Sequence, residues 1–127
     1  MAERYKTCVD LHVILLQDSR ILLGRRQNTG FADGAWHLPS GHLDPAESAT
    51  AGAAREAAEE IGVTIDPAKL SLAHVMHHRT DDARTALFFE AADWTGEVTN
   101  QEPDKCAGWQ WFLQGSLGVA GCGISCG

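Results

Sequence analysis

Apolar and polar positions alternate along this chain in blocks whose spacing predicts both strands and a helix. Residues 7–16, Thr-Cys-Val-Asp-Leu-His-Val-Ile-Leu-Leu, are apolar with partial alternation and read as a strand. Asp18-Ser19 is a turn signal, and Ile21-Leu22-Leu23-Gly24-Arg25-Arg26 returns as a second strand, giving a hairpin. Residues 27–35 are rich in types that tolerate turn conformations and form a loop. A short strand at 36–38 then runs into Pro39-Ser40-Gly41. Further strands are expected at about 70–78, 85–93 and 108–113, with a turn over Trp94-Thr95-Gly96-Glu97.

The strongest helical pattern follows Gly41. Asp44 suits an N-cap, Pro45 the first helical position and Glu47 the acid of a capping box. Ala49, Ala53, Ala54, Ala57, Ala58 and Ile61 recur at three- and four-residue spacing, and Gly62 is a natural stop. Alanine lets such a helix lie close to a sheet. The order strand, strand, helix, strand, strand is not the regular alternation of a doubly wound fold. It predicts an α/β protein of the α+β type, a mixed sheet with helix packed on it.

The length of 127 residues allows one domain, expected over 1–114. Residues 115–127 hold five glycines and no charge, and a disordered tail is expected there. The net charge of −7 excludes a protein that coats nucleic acid, which would be basic. A polyanionic small substrate stays possible if a cation sits between it and the protein. No apolar run reaches the roughly 18–20 residues of a membrane span, and Met1 to Lys6 lack the features of a signal peptide. The scattered Cys8, Cys106, Cys122 and Cys126 fit a reducing cytoplasm and lack the companions of a zinc site.

The chemistry concentrates in Gly41 to Val63, which reads Gly-x5-Glu-x7-Arg-Glu-Ala-x-Glu-Glu-x-Gly-Val. On a helix Glu59 lies about 60° to one side of Glu56, and Glu60 about 40° to the other. Three carboxylates therefore share one arc, with the negative end of the helix behind them. They call for a cation, and hard oxygen ligands suit Mg²⁺ or Mn²⁺. An isolated Glu-x-x-Glu-Glu would read as a solvated acidic face.

The whole segment resembles the Nudix box of the Nudix hydrolases, which include the MutT-type pyrophosphohydrolases. Gly41, Glu47, Arg55, Glu56, Glu59, Glu60 and Gly62 all match, and Ala57 departs mildly by filling an aliphatic slot. The likeness extends over most of residues 7–113, with Ser40 standing for a glycine in the Leu38-Pro39-Ser40-Gly41 entry. It implies a Nudix fold, a mixed sheet sandwiched between helices. It implies metal ligation by Glu59, Glu60 and the Gly41 carbonyl, with Glu56 as a further ligand or the general base. Glu102 is the competing base, or an ordinary loop acid. Arg26 stands where related enzymes contact substrate, and Phe31 and Trp36 are the candidates to stack on it. Glu47 and Arg55 become a structural ion pair, provided a turn folds Glu47 back; the capping role of Glu47 stands equally beside this. His74, His77 and His78 read as a sheet face, and Trp94, Trp109 and Trp111 as core or lid.

The activity implied is metal-dependent hydrolysis of a nucleoside diphosphate linked to another moiety. Relatives acting on ADP-ribose carry a proline where this chain has His78, and those acting on dinucleoside polyphosphates a tyrosine shortly after, whereas the only tyrosine here is Tyr5. Elimination leaves a nucleoside triphosphate, oxidised forms included, yielding monophosphate and pyrophosphate. ADP-ribose or nucleotide-sugar hydrolysis is the alternative, and a non-catalytic nucleotide-binding domain another. Related chains continue after Trp109–Phe112 into a helix that the glycine-rich tail replaces. The sheet face left open is expected to be covered by a second copy in a homodimer.

Overall fold

The computed structural model describes residues 3–79 and 82–114. Strands β1 (Cys8–Gln17) and β2 (Arg20–Arg26) form the expected hairpin. Its tip, Asp18 and Ser19, takes positive φ at both residues (52° and 62°), the turn that matches strand twist. Short strands β3 (Trp36–His37) and β4 (Ser40–His42) follow, then helix α1 (Ala49–Ile61). After a 3₁₀ turn come β5 (Ser71–Arg79), β6 (Ala83–Ala91) and β7 (Cys106–Leu113). The sheet order is β3-β2-β1-β6-β5, with β4 joined to β1 and β7 to β2. Among the described residues only β1 and β6 pair in parallel; the other pairs are antiparallel. This is the mixed sheet and helix that the element order predicted.

Alternation along β1 decides what lies on each face. Leu11, Val13 and Leu15 are fully buried against Ala53, Ala57 and Ile61 of α1. The small alanines bring the helix close, as their spacing required. Asp10, His12 and Ile14 point to the other face, where Ile14 joins a second apolar cluster with Ala86, Phe88 and Met76. On that second face Asp10 and His12 line a cavity.

The start of α1 differs from the sequence reading. Asp44 and Pro45 precede the helix, and its N-cap is Ser48, whose hydroxyl accepts from the Ala51 N–H at 3.2 Å. The reason is a turn at Pro45-Ala46, where Ala46 has φ 68°, so helical geometry begins only after Glu47. Glu47 accepts from the Asp44 N–H at 2.8 Å but does not cap α1. Ser48→Ala is accordingly expected to lower stability by about 1 kcal/mol, measured by urea unfolding, while Asp44→Ala costs less. Gly62 ends the helix in the left-handed region, φ 72°, as expected.

Among the described residues no helix is long and apolar enough to cross a membrane. The expectations for 115–127, a disordered tail and a missing helix, lie outside the described residues.

Candidate active site

Hydrogen bonds join the last turn of α1, the segment leading into β7 and the 27–35 loop. Residues Thr99 and Gln101 donate backbone N–H groups to the carbonyls of Ile61 and Glu60, at 2.8 and 3.0 Å. These bonds satisfy helix carbonyls that would otherwise be orphaned, and they bring Glu102 beside the acidic face. The 27–35 loop is tied to the same segment. Gln27 and Asn28 donate side-chain N–H groups to the carbonyls of Pro103 and Asp104, at 2.7 and 3.1 Å. Between these walls lies a cavity of about 400 Å³.

Arg55 organises the acidic face. Its guanidinium donates to both oxygens of Glu47, at 3.1 and 2.8 Å. It also reaches Glu56 Oε1 at 2.7 Å, Glu59 Oε2 at 3.2 Å and the His42 carbonyl at 3.0 Å. The turn at Pro45-Ala46 folds Glu47 back, which meets the condition that the eight-residue spacing set for this pair. The hydrogen bonds of Arg55 hold the Glu47 carboxyl below its ordinary range.

Glu56 is buried, and a Cβ at Gly41 would fall on its carboxyl. Only glycine leaves that space, so the backbone of β4 runs directly over the acid. Burial pushes the Glu56 carboxyl up, against the pull of Arg55. Glu60 accepts from the Ser40 N–H at 2.9 Å. Burial, reinforced by the charges of Glu56, Glu102 and Glu59, pushes its pKa up to about 8. Glu59 is half-exposed and turned toward Arg55.

This arrangement fits a cation on the chemistry of its donors. Burial pushes the carboxyls of Glu56 and Glu60 up, which a cation would relieve, and the backbone of Gly41 runs beside Glu56. Among the described residues no three acidic, His or Cys side chains already converge as a ligand set. Arg55 supplies positive charge to Glu56 and Glu59.

Arg26, Lys105, Asn28, Thr29 and Asn100 also line the cavity. Asp10, His12, His37 and Trp109 line it as well. His12 is 1% exposed and stacks on Phe88 at 4.5 Å; burial lowers its pKa to about 4, so it is neutral at pH 7. Arg26, Gly41, Glu60 and Glu102 are thus brought together at one cavity.

Phe31 and Trp36 are not among the lining residues. Trp36 sits beside His37 on β3, so strand alternation turns it to the opposite face, edge-on to Phe112 at 4.9 Å. Phe31 is 62% exposed on the loop, under the Arg26 guanidinium. Trp109, Trp94 and Trp111 all pack against the core, as the sequence suggested; Trp109 also lines the cavity, and Trp94 and Trp111 stack on each other. Asp10, His12, His37, His42 and Lys105 were missed by sequence reasoning. For Asp10 and His12 one signal existed: two polar residues on the same side of an otherwise apolar strand.

A family model for the NUDIX domain matches residues 6–119. The chain belongs to the Nudix hydrolase family. Among Nudix proteins it is 28% identical over 102 residues to an 8-oxo-dGTP diphosphatase of Proteus vulgaris, covering 80% of this chain and 90% of that one. A MutT Nudix hydrolase of Burkholderia pseudomallei has a similar structure, with TM-score 0.77, 28% identity and coverage of 86% and 84% of the two chains. The fold also matches a bifunctional NMN adenylyltransferase/ADP ribose pyrophosphatase of Francisella tularensis, solved with AMP and an Mn ion, at TM-score 0.73 and 17% identity over 96% of this chain and 38% of that one. The Nudix box therefore occupies the helix, the turn before it and the glycine strand described above.

Proposed function

We propose that this Nudix hydrolase cleaves a nucleoside triphosphate, oxidised forms included, into the monophosphate and pyrophosphate. The observation that carries the reading is that Glu60 and Glu102 line one cavity together with Arg26 and Lys105. The volume of about 400 Å³ is in the range of small-molecule sites. The cationic side chains suit a phosphate chain, and the similarity to an 8-oxo-dGTP diphosphatase supports a triphosphate.

Glu56, Glu59 and Glu60, with the Gly41 carbonyl, are the groups that would hold Mg²⁺ or Mn²⁺. Such an ion, when bound, neutralises phosphate charge and supplies a water of lowered pKa. The protein orients the phosphates through Arg26 and Lys105 and holds the acidic face in place through the Glu47–Arg55 pair. Glu102 and Glu56 remain the candidates to take the water's proton. Arg55 already donates to Glu56 Oε1, whereas Glu102 has no side-chain partner for its carboxylate among the described residues. Glu102→Gln separates them: turnover falls sharply if Glu102 is the base and changes little if it is a bystander.

The direct experiment is a Mg²⁺-dependent assay over nucleoside triphosphates, ADP-ribose and nucleotide sugars. Preference for ADP-ribose, or binding without cleavage, would replace this reading. Metal binding itself is expected to raise the melting temperature. At about 100 times the dissociation constant the gain is roughly 2.7 kcal/mol. Melts in EDTA and in Mg²⁺ that coincide count against the site. A cytoplasmic location and a homodimer accompany the proposal; light scattering at micromolar concentration tests the second.

A further inference from the structure

We propose that Gln27 and Asn28 are positioning residues for the turn over residues 102–105, which presents Glu102 and Lys105 to the cavity. The inference rests on the hydrolase reading above and deepens it, since it says what sets two of the groups that reading uses.

Among the described residues the chain between β6 and β7, residues 92–105, has no helix and no ladder strand; Thr95 joins Thr64 in an isolated bridge. Such a stretch keeps one shape only where other groups tie it down. The ties converge on its last turn. The carbonyls of Pro103, Asp104 and Lys105 accept in succession from the Gln27 side chain at 2.7 Å, the Asn28 side chain at 3.1 Å and the Gln27 backbone N–H at 3.0 Å. Inside the turn the Glu102 carbonyl accepts from the Lys105 and Cys106 N–H groups, both at 3.0 Å. Asn100 closes it, accepting from the Glu102 N–H at 3.2 Å and donating to the Cys106 carbonyl at 2.8 Å. Both backbone polar groups of Glu102 are thereby held, while Glu102 and Lys105 line the cavity. Arg26 directly precedes Gln27, so the same bonds set the turn relative to the arginine that shares the cavity.

Asn28 combines two properties. Its φ of 55° lies in the left-handed region, which asparagine enters more readily than most residues. Glycine or an ionised aspartate would suit that backbone too, but neither has a side-chain donor for the Asp104 carbonyl. Bracing β7 does not account for these bonds, because β7 is already paired with β2 from Leu113 back to Cys106. Asn28, Pro103, Asp104 and Lys105 are exposed, and hydrogen bonds between exposed groups add little stability. What the bonds do fix is where the backbones of Glu102 and Lys105 stand at the cavity.

The test combines steady-state kinetics in Mg²⁺, on a nucleoside triphosphate that the wild type hydrolyses, with melts and amide hydrogen exchange in EDTA. The variants are Gln27→Leu and Asn28→Gly, the second of which keeps the left-handed backbone. Together they should lower kcat roughly ten- to hundredfold, the scale of a small misplacement at a reacting centre, with the melting temperature nearly unchanged. The Lys105 amide should exchange faster while the β2–β7 ladder stays protected. Gln27→Lys, which restores a donor, should recover part of the lost turnover. Cycles with Glu102→Gln and Lys105→Met show what the ties act through: losses should be less than additive, in kcat with the first and in KM with the second. Where the double variant melts early, the single variants are read in the same way. Unchanged kcat and KM, losses that are additive in both cycles, or losses that track a lowered melting temperature in every variant overturn the positioning role and leave the hydrolase reading intact. A wild type that hydrolyses none of the triphosphates overturns that reading, and this inference with it.

Discussion

Glu60→Gln is expected to make the metal-free protein more stable and the enzyme nearly inactive. Glu60 is pushed up to about 8 chiefly by burial, so the fold favours its protonated form. The unfolded carboxyl titrates near 4.5. Below that pH both states hold the proton and there is no penalty. As pH rises from 4.5 to about 8, the unfolded state releases its proton first, and stability is lost through this window. Above it the full penalty, on the order of a few kcal/mol, is present. Glutamine has the same shape, keeps an acceptor for the Ser40 N–H and carries no charge, so the variant escapes the penalty. Melts in EDTA at pH 5 and above pH 8 should show the two proteins converging at the acid end and the variant ahead at the alkaline end. Turnover should fall by roughly 10²–10⁴, since charge at a metal site is worth several kcal/mol. Mg²⁺ should stabilise the wild type more than the variant. Near-normal turnover would remove Glu60 from the metal site. A variant no more stable in EDTA at alkaline pH would mean that the carboxyl is not desolvated.

The contrast between what the sequence revealed and what it hid has a physical basis. Local signals were strong where one segment contains the whole pattern. Asp18-Ser19 specifies its turn, the alanines of α1 mark the buried face, and Gly62 is placed by its backbone conformation. The box residues were readable because a single helix and its entry carry them. The N-cap was misplaced because Asp44-Pro45 and Ser48 are both good caps, and the choice depends on the fold-back of Glu47 to Arg55. The cavity was harder still. Its walls come from β1, β2, β4, the 27–35 loop and the segment leading into β7, which no local periodicity links. Trp36 and Trp109 show the difference. Each is a tryptophan on a short strand, and only the pairing of β2 with both β3 and β7 decides which one faces the cavity.

The largest expected loss of stability at neutral pH outside the apolar core comes from Arg84→Met. Asp10 lies in β1 with its carboxylate almost wholly buried. Burial works to raise its pKa, but the two hydrogen bonds and the charge of Arg84, with the bond from His42, outweigh it and hold the carboxyl below 3.8. The paired acid therefore stabilises the fold above pH 3.8, and this contribution is lost as pH falls through the lowered folded value. Removing Arg84 leaves the burial and deletes its main compensation. The folded pKa of Asp10 should then move up past its unfolded value, and the sign of its contribution reverses. At pH 7 the variant should lose about 3–5 kcal/mol, the cost of an unpaired buried charge. That deficit should shrink on acidification as Asp10 takes up a proton, so stability of the variant should improve from pH 7 toward pH 5. Asp10→Asn in the Arg84→Met background removes the charge and should restore most of the loss at pH 7. Urea unfolding of the four proteins in this cycle measures the coupling. A loss under 1 kcal/mol for Arg84→Met, or a double variant no better than the single one, would show that water already reaches Asp10 and that the pair does not hold β1 to β6.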